Sequence, residues 1–295
     1  MIKTAIIGGS GFVGGHLLRA FRRVHPDTIG TSFSRESDGL QPFDIREPNL
    51  ASLNLPEQGY AAVLIAAANP NVGYCEQNEE ASRAVNVRGT LELIRQTVAL
   101  GMRPIFLSSD YVFDGQVGGH DDDAPTNPST IYGRQKELVE QELPRLGDNY
   151  LIVRLSKIYG VEKGDGTLLD EIASSLAAGK TIRTARDQVF SPTYAQDLAS
   201  AIMELLSRDV TGRINVCAPR AFCRHELAVD VARAMELDEG VIKRQIEPVS
   251  LHDLPGMANR PLNTSMTPSR LARIIELRFT PMENSLRRVA ANWAL

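Results

Sequence analysis

The chain has 295 residues, 43% of them hydrophobic, enough for one large α/β unit or two modest domains around a sizeable core. Lys and Arg number 32 against 36 Asp and Glu, a formal net charge of −4. This removes the long-range positive field of a nucleic-acid or anionic-membrane binder and points to a small-molecule partner. The three cysteines, Cys75, Cys217 and Cys223, are too few and odd in number for a disulfide framework and lack the CxxC spacing of a zinc or redox site, which fits a reducing cytoplasm.

In chain order, short apolar runs over 3–8, 28–33, 61–67, 104–108 and 150–154 read as strands, several of them apolar on both faces. The first of these stands where a signal peptide would need a longer apolar stretch. The longest apolar run, 60–68, is far shorter than the roughly 18 residues a membrane span requires. Helical spacing of apolar residues appears over 14–24, 80–100 and 129–146, with Gly101 at a helix stop. The alternation predicts an α/β Rossmann fold, a doubly wound parallel sheet covered by helices, over 1–156.

Beyond 154 the pattern changes. A glycine-rich loop, 160–166, leads to a helix over 168–178. The segment 187–197, followed by apolar 198–206 and a strand at 214–217, reads as a return to the first domain. Residues 157–295 are therefore expected to form mainly a smaller, discontinuous substrate-binding region, with the nucleotide-binding domain rejoined at about 187–217. The terminal stretch places Leu286, Val289, Ala290 and Trp293 on one helical face, expected to dock on the chain's own core.

The first strand runs into IIGGSGFVGGHL, a GxxGxxG pattern formed by Gly8, Gly11 and Gly14. Glycines there permit a tight turn, close approach of backbone to a pyrophosphate and close packing of helix on strand, while the helix N-terminus offers unpaired N–H donors. Ser10, Phe12 and Val13 belong to the same expected cofactor contact. The second strand should end near 31–35, in SFSRES. Ser34 and the guanidinium fork of Arg35 would hold a 2′-phosphate, favouring NADPH, whereas Glu36 on the ribose hydroxyls would mean NADH.

In YGRQKELVEQEL, Tyr132 and Lys136 lie four residues apart, so both leave one face of a helix. A phenol poised at a ketone can supply the proton that hydride addition demands, and an adjacent ammonium should lower the phenol's pKa. The strand PIFLSSDYVFDG ends in hydroxyls where open α/β sheets place ligands; Ser109 can donate to a substrate carbonyl, with Ser108 pointing to the other side.

Together these residues resemble the extended short-chain dehydrogenase/reductase family, and within it the dTDP-4-dehydrorhamnose reductase branch. The resemblance covers nearly the whole chain and is carried by GGSGFVGG (8–15), FDI (43–45), AAANPNV (66–72), LSSDYVFDG (107–115), YGRQK (132–136) and RPLNTSM (260–266). It implies that Ser109 is the active-site hydroxyl, Tyr132 the proton donor and Lys136 also a partner of the nicotinamide ribose. It further implies that Asp44 and Ile45 flank the adenine, that Ala66, Ala67 and Ala68 line the cofactor cleft, and that Tyr111 and Arg260 meet a nucleotide-sugar substrate. Asn86 takes a structural role, and 191–193 borders cofactor and substrate. One departure is Lys157, where the branch carries a tryptophan: an indole stacks on a sugar and an ammonium does not.

The resemblance implies reduction of a nucleotide-linked 4-keto-6-deoxy sugar by NADPH, or NADH, in the cytoplasm, with no nucleic-acid or membrane partner and with a homodimer allowed. An NAD-dependent nucleotide-sugar epimerase would use the same residues, and the branch also holds a non-catalytic member, the regulatory subunit of methionine adenosyltransferase. Outside this frame, His120 with Asp121, Asp122 and Asp123 reads as a solvated acidic loop rather than a metal site, and Cys75 as a bystander near the cleft.

Overall fold

The computed structural model describes residues 2–33 and 38–293. Its central layer comprises β1 (Thr4–Ile7), β2 (Thr31–Ser32), β3 (Gln41–Pro42), β4 (Ala62–Ile65), β5 (Arg103–Ser109), β6 (Leu151–Leu155) and β7 (Gly212–Val216). Strands β1, β4, β5, β6 and β7 pair in that order, all parallel. The parallel β2–β3 pair joins outside β1 through a bridge between Gly30 and Ile6. The strand order thus reverses between β1 and β4, the switch point at which doubly wound sheets bind ligands.

Apolar residues fill both faces of the central strands because helices cover both. On one face Leu93 and Ile94 of α4 (Thr90–Ala99) and Val139 and Leu143 of α5 (Ile131–Leu146) pack on Val63, Ile65, Phe106 and Ile152. On the other, Leu17 and Phe21 of α1 (Phe12–Arg22) and Leu198 and Ile202 of α7 (Ala195–Ser207) pack on Ile6, Leu64, Ile105 and Val153. The expected doubly wound sheet is borne out. The helix expected over 80–100 differs: it is broken into α3 (Glu79–Arg83), a π-helical turn at Ala84–Gly89, and α4, after a short α2 (Val72–Gln77). A side chain at Gly89 would collide with the carbonyl of Ile45, so the wide turn sits where another backbone crosses the helix.

A second core gathers Tyr159, Leu169 and Ile172 of α6 (Leu168–Ala177), Phe190, Leu227 and Val231 of α8 (Arg224–Ala234), and Met282, Leu286 and Val289 of the helix Met282–Trp293. Trp293 is half-buried against it. Between these contributions the chain returns to the sheet at Leu198–Val216 and again at Leu271 and Ile275. Among the described residues no helix is long and apolar enough to cross a membrane.

The two strands nearest the site and α5 are joined by a buried ion pair. Arg154 on β6 is fully buried and grips Glu140 of α5 through Nε at 3.0 Å and Nη2 at 2.7 Å. Ser108 on β5 donates to the same carboxylate at 2.5 Å, and Arg154 Nη1 reaches the carbonyl of Asp122 at 3.3 Å. The acidic loop is correspondingly not solvated at its centre. Asp122 is buried, accepting the backbone N–H groups of Asn215 at 2.6 Å and Arg270 at 3.1 Å, because it closes backbone donors that would otherwise lie unpaired. Removing one partner of a buried pair strands the other charge, so Arg154→Ala is expected to destabilise the chain by about 3–5 kcal/mol in urea unfolding. An unchanged urea midpoint would contradict this account.

Candidate active site

Between β1 and α1 the glycine pattern divides into two kinds of position. Gly8 has φ +93°, and a Cβ on it would lie 2.5 Å from the backbone nitrogen of Ala67; a Cβ on Gly14 would collide with the Gly8 carbonyl. Both glycines are demanded by the protein's own packing. Gly11 is different: a Cβ there would meet only the Gly8 oxygen, at 3.5 Å. It is the N-cap of α1, offers no side-chain cap, and is followed by no acidic residue in the first turn, so the free N–H groups of that turn are left for an anion. This uncapped turn fits a dinucleotide pyrophosphate.

The turn opens on a cleft of about 640 Å³. Gly8, Ser10, Gly11 and Phe12 line it from the turn, Ala66, Ala67 and Ala68 from the end of β4, and Asp44 and Ile45 from the loop after β3. Of the sequence-expected cofactor residues on the described segments, Val13, Gly14, Tyr132 and Lys136 are not among those lining this cleft. Ser34 and Arg35 lie outside the described residues. The sequence did not point to Arg46, which lines the same rim, makes a bidentate pair with Asp44 at 2.6–3.0 Å and lies over the Phe33 ring at 4.6 Å. The pair holds the Asp44 carboxyl below its ordinary pKa.

Tyr132 and Lys136 project from one face of α5, whose N-terminus is capped by Thr130 accepting from Gly133 at 3.1 Å. Both are buried. Lys136 Nζ donates to the Leu107 carbonyl at 2.8 Å and lies 4.7 Å from the Phe106 ring and 5.8 Å from the Tyr132 ring. Burial pushes its pKa down to about 8, opposed by the Glu140 charge. The phenol departs from expectation. Burial raises the pKa of Tyr132, Ser109 opposes the rise, and the Lys136 ammonium, 5.8 Å from the ring and bonded to the Leu107 carbonyl, does not bring it down.

Ser109, at the end of β5, donates to Asp110 at 3.0 Å and accepts the Tyr111 N–H at 3.2 Å, while Ser108 faces Glu140 on the opposite side. Tyr111 stands edge-on to Tyr132 with ring centroids 6.0 Å apart, and Arg260 Nη1 donates to the Tyr111 hydroxyl at 3.1 Å. The expected substrate pair thus meets beside the phenol. Lys157 adopts φ +33° and is exposed; the partial desolvation of its ammonium, with Arg224 and Arg260, pushes its pKa down to about 8 against the pull of Glu171 and Asp110. Neither Lys157 Nζ nor the Arg224 guanidinium has a hydrogen-bond or ion-pair partner at contact distance among the described residues.

Two polar hubs have partners that the sequence pattern does not indicate. Asn86, in the π turn, accepts from the Asn69 N–H at 2.8 Å and donates to Gln135 Oε1 at 2.8 Å, tying the cleft loop to the helix residue before Lys136. Asp110 is buried and accepts three hydroxyls. The only sequence signal for Asp110 is its place inside the segment 107–115, and for Asn86 the structural role that the resemblance implies. Cys75 is buried against Tyr132, and burial pushes its thiol up, away from reactivity.

A sequence model described as the RmlD substrate binding domain matches residues 2–294. The chain is 30% identical over 264 residues to the dTDP-4-dehydrorhamnose reductase of Mycobacterium tuberculosis, covering 88% of this chain and 82% of that one. The crystal structure of a hypothetical dTDP-4-dehydrorhamnose reductase from Sulfolobus tokodaii superposes with a TM-score of 0.81 at 27% identity, covering 96% and 99% of the two chains. The reductase of Bacillus anthracis, solved in complex with NADP, shares the fold at a TM-score of 0.79 and 22% identity, covering 98% and 99%.

The glycine geometry separates folding from binding. Gly14→Ala is expected to abolish the native thermal transition, whereas Gly11→Ala should keep that transition and weaken dinucleotide binding by about tenfold or more, measured by fluorescence titration. Equal affinity in Gly11→Ala and the parent would overturn the assignment of Gly11 to ligand approach.

Proposed function

We infer the function from one premise: the chain belongs to the RmlD substrate binding domain family. It is an NADP-dependent oxidoreductase of the extended short-chain dehydrogenase/reductase type, acting on a nucleotide-linked sugar. In the finer reading, it reduces the keto group of a nucleotide-linked 4-keto-6-deoxy sugar in the cytoplasm. Residues 157–295 mainly shape the sugar site, and 1–156, rejoined at about 187–217, holds the cofactor. The observation that carries this reading is the buried Tyr132–Lys136 pair beside Ser109, at the C-terminal end of β5.

NADPH, when bound, supplies the hydride. Gly8, Gly11 and the first turn of α1 would hold its pyrophosphate, Ala66–Ala68 would flank it, and Ser34 and Arg35 would take the 2′-phosphate. Tyr132 carries the proton for the carbonyl oxygen, and burial keeps that proton in place at neutral pH. The transfer remains downhill because an alkoxide is about as basic as hydroxide and a far stronger base than a phenolate. Lys136, with a pKa of about 8, is mostly an ammonium at neutral pH and orients cofactor and phenol from the Leu107 anchor. Ser109 steadies the carbonyl oxygen, and Tyr111 with Arg260 faces the sugar.

Tyr132→Phe removes the proton donor and leaves the glycine turn intact, so kcat should fall by roughly 10²–10⁴-fold while NADPH affinity stays unchanged. The check is NADPH and NADH oxidation against a panel of nucleotide-linked 4-keto sugars, beginning with a thymidine-diphosphate-linked 4-keto-6-deoxy sugar. Unimpaired turnover in the variant would remove the basis of the reading.

A further inference from the structure

Ser109 has one proton to donate and two lone pairs to fill. The Tyr111 N–H fills one at 3.2 Å, and the Ser109 O–H points to Asp110 Oδ1 at 3.0 Å. In this state the proton that should meet a substrate carbonyl is committed to a neighbour. Whether it is released depends on Asp110.

The Asp110 carboxyl is buried and ringed by hydroxyls from three parts of the chain: Ser109 at the end of β5, Ser156 just past β6 at 2.8 Å, and Thr264 in the C-terminal segment at 2.8 Å. No described cation lies within ion-pair distance of it. The charge of Lys157 is felt there, and burial nonetheless pushes the carboxyl's pKa up. A buried carboxyl without a cation is one that accepts a proton readily.

We propose that Asp110 is a positioning residue acting through Ser109: as the neutral acid it donates to Ser109 Oγ and frees the Ser109 O–H for the substrate's carbonyl oxygen, and as the carboxylate it takes that O–H back. The extra proton comes from solvent and stays on Asp110; no bond to carbon is made or broken in the switch. The inference rests on the reading that Ser109, Tyr132 and Lys136 act on a carbonyl.

The titratable groups facing Asp110 are Lys157, Tyr111, Tyr132 and Cys217. Burial raises the two phenols and the thiol, so they stay neutral across the acid-to-neutral range, and Lys157 titrates at about 8. The neutral form of Asp110 is complete at low pH and is lost as pH rises through its folded pKa. Turnover should fall along the same limb.

The experiment follows kcat against pH for the full chain with NADPH and a thymidine-diphosphate-linked 4-keto-6-deoxy sugar, in the parent, Asp110→Asn and Ser109→Ala. The Asn amide can donate to Ser109 and cannot ionise. The limb should vanish in Asp110→Asn, which above the limb should turn over at least about threefold faster than the parent, a gain that a merely structural role would not give. The limb should vanish in Ser109→Ala too, at a lower rate, because Asp110 acts through that hydroxyl. Should thermal unfolding show that Asp110→Asn does not fold, Ser109→Ala decides alone. A parent profile without the limb, or a limb that persists in either variant, overturns the proposal. An active Tyr132→Phe overturns the reading beneath it, whereas an inactive Tyr132→Phe beside an unmoved limb overturns the role of Asp110 only.

Discussion

The site depends on how α5 is fastened to the sheet, and the fastening is the buried Arg154–Glu140 pair. Tyr132, Lys136 and Glu140 follow one another at four-residue spacing, so they lie along one stripe of the helix. Glu140 is held by Arg154 from β6 and Ser108 from β5, and Arg213 of β7 lies 3.3 Å from the same carboxylate. Desolvating such ions opposes their attraction, so the pair need not add net stability. What it fixes is register: turning or sliding the helix by one residue would break three bonds in a medium where lost partners are not replaced by water. The phenol and the ammonium inherit that register.

The same burial sets the charge state of the pair. Lys136 is taken out of water, and its proton is disfavoured in the folded chain, at about 8 against an ordinary lysine value of about 10.4. The unfolded chain therefore binds more protons between those two values, and the burden this lysine places on stability is fully present below its folded pKa and is relieved as pH rises toward the unfolded one. A lysine placed for packing alone would snorkel to solvent. This one stays buried with a single backbone carbonyl as its hydrogen-bond acceptor, a strain expected of function rather than of folding.

The parts of this arrangement that are local along the chain are legible in the amino-acid sequence. The GxxGxxG turn, the Tyr132–Lys136 spacing and the hydroxyl-bearing strand end each lie within about a dozen consecutive residues, and strand-helix alternation sets their order around the sheet. What the sequence does not disclose is nonlocal. Asp110 finds Ser156 46 residues on and Thr264 154 residues on, and Asn86 meets Gln135 across 49 residues. Nor can periodicity locate the π turn, which answers to the crossing of Ile45 over Gly89 rather than to the helix's own composition. The phenol's pKa escapes the spacing for a related reason: four residues set the distance to the ammonium, and only the folded geometry sets the carbonyl toward which that ammonium turns.

Net charge illustrates the same limit. A total of −4 argues against polyanion binding, and that argument concerns the field far from the molecule. Around Lys157 the balance is reversed: Lys157, Arg224 and Arg260 face Glu171, with Asp110 inclined toward its neutral form. Close by, these few cations outweigh charges scattered over the rest of the surface, because screening by solvent and salt weakens the more distant charges most. An indole at position 157 would offer a sugar ring a stacking face; the ammonium found there offers attraction to negative charge instead, where the neighbouring guanidinium has no contact partner of its own among the described residues. This corner of the chain is therefore locally positive, whatever the chain's overall sign.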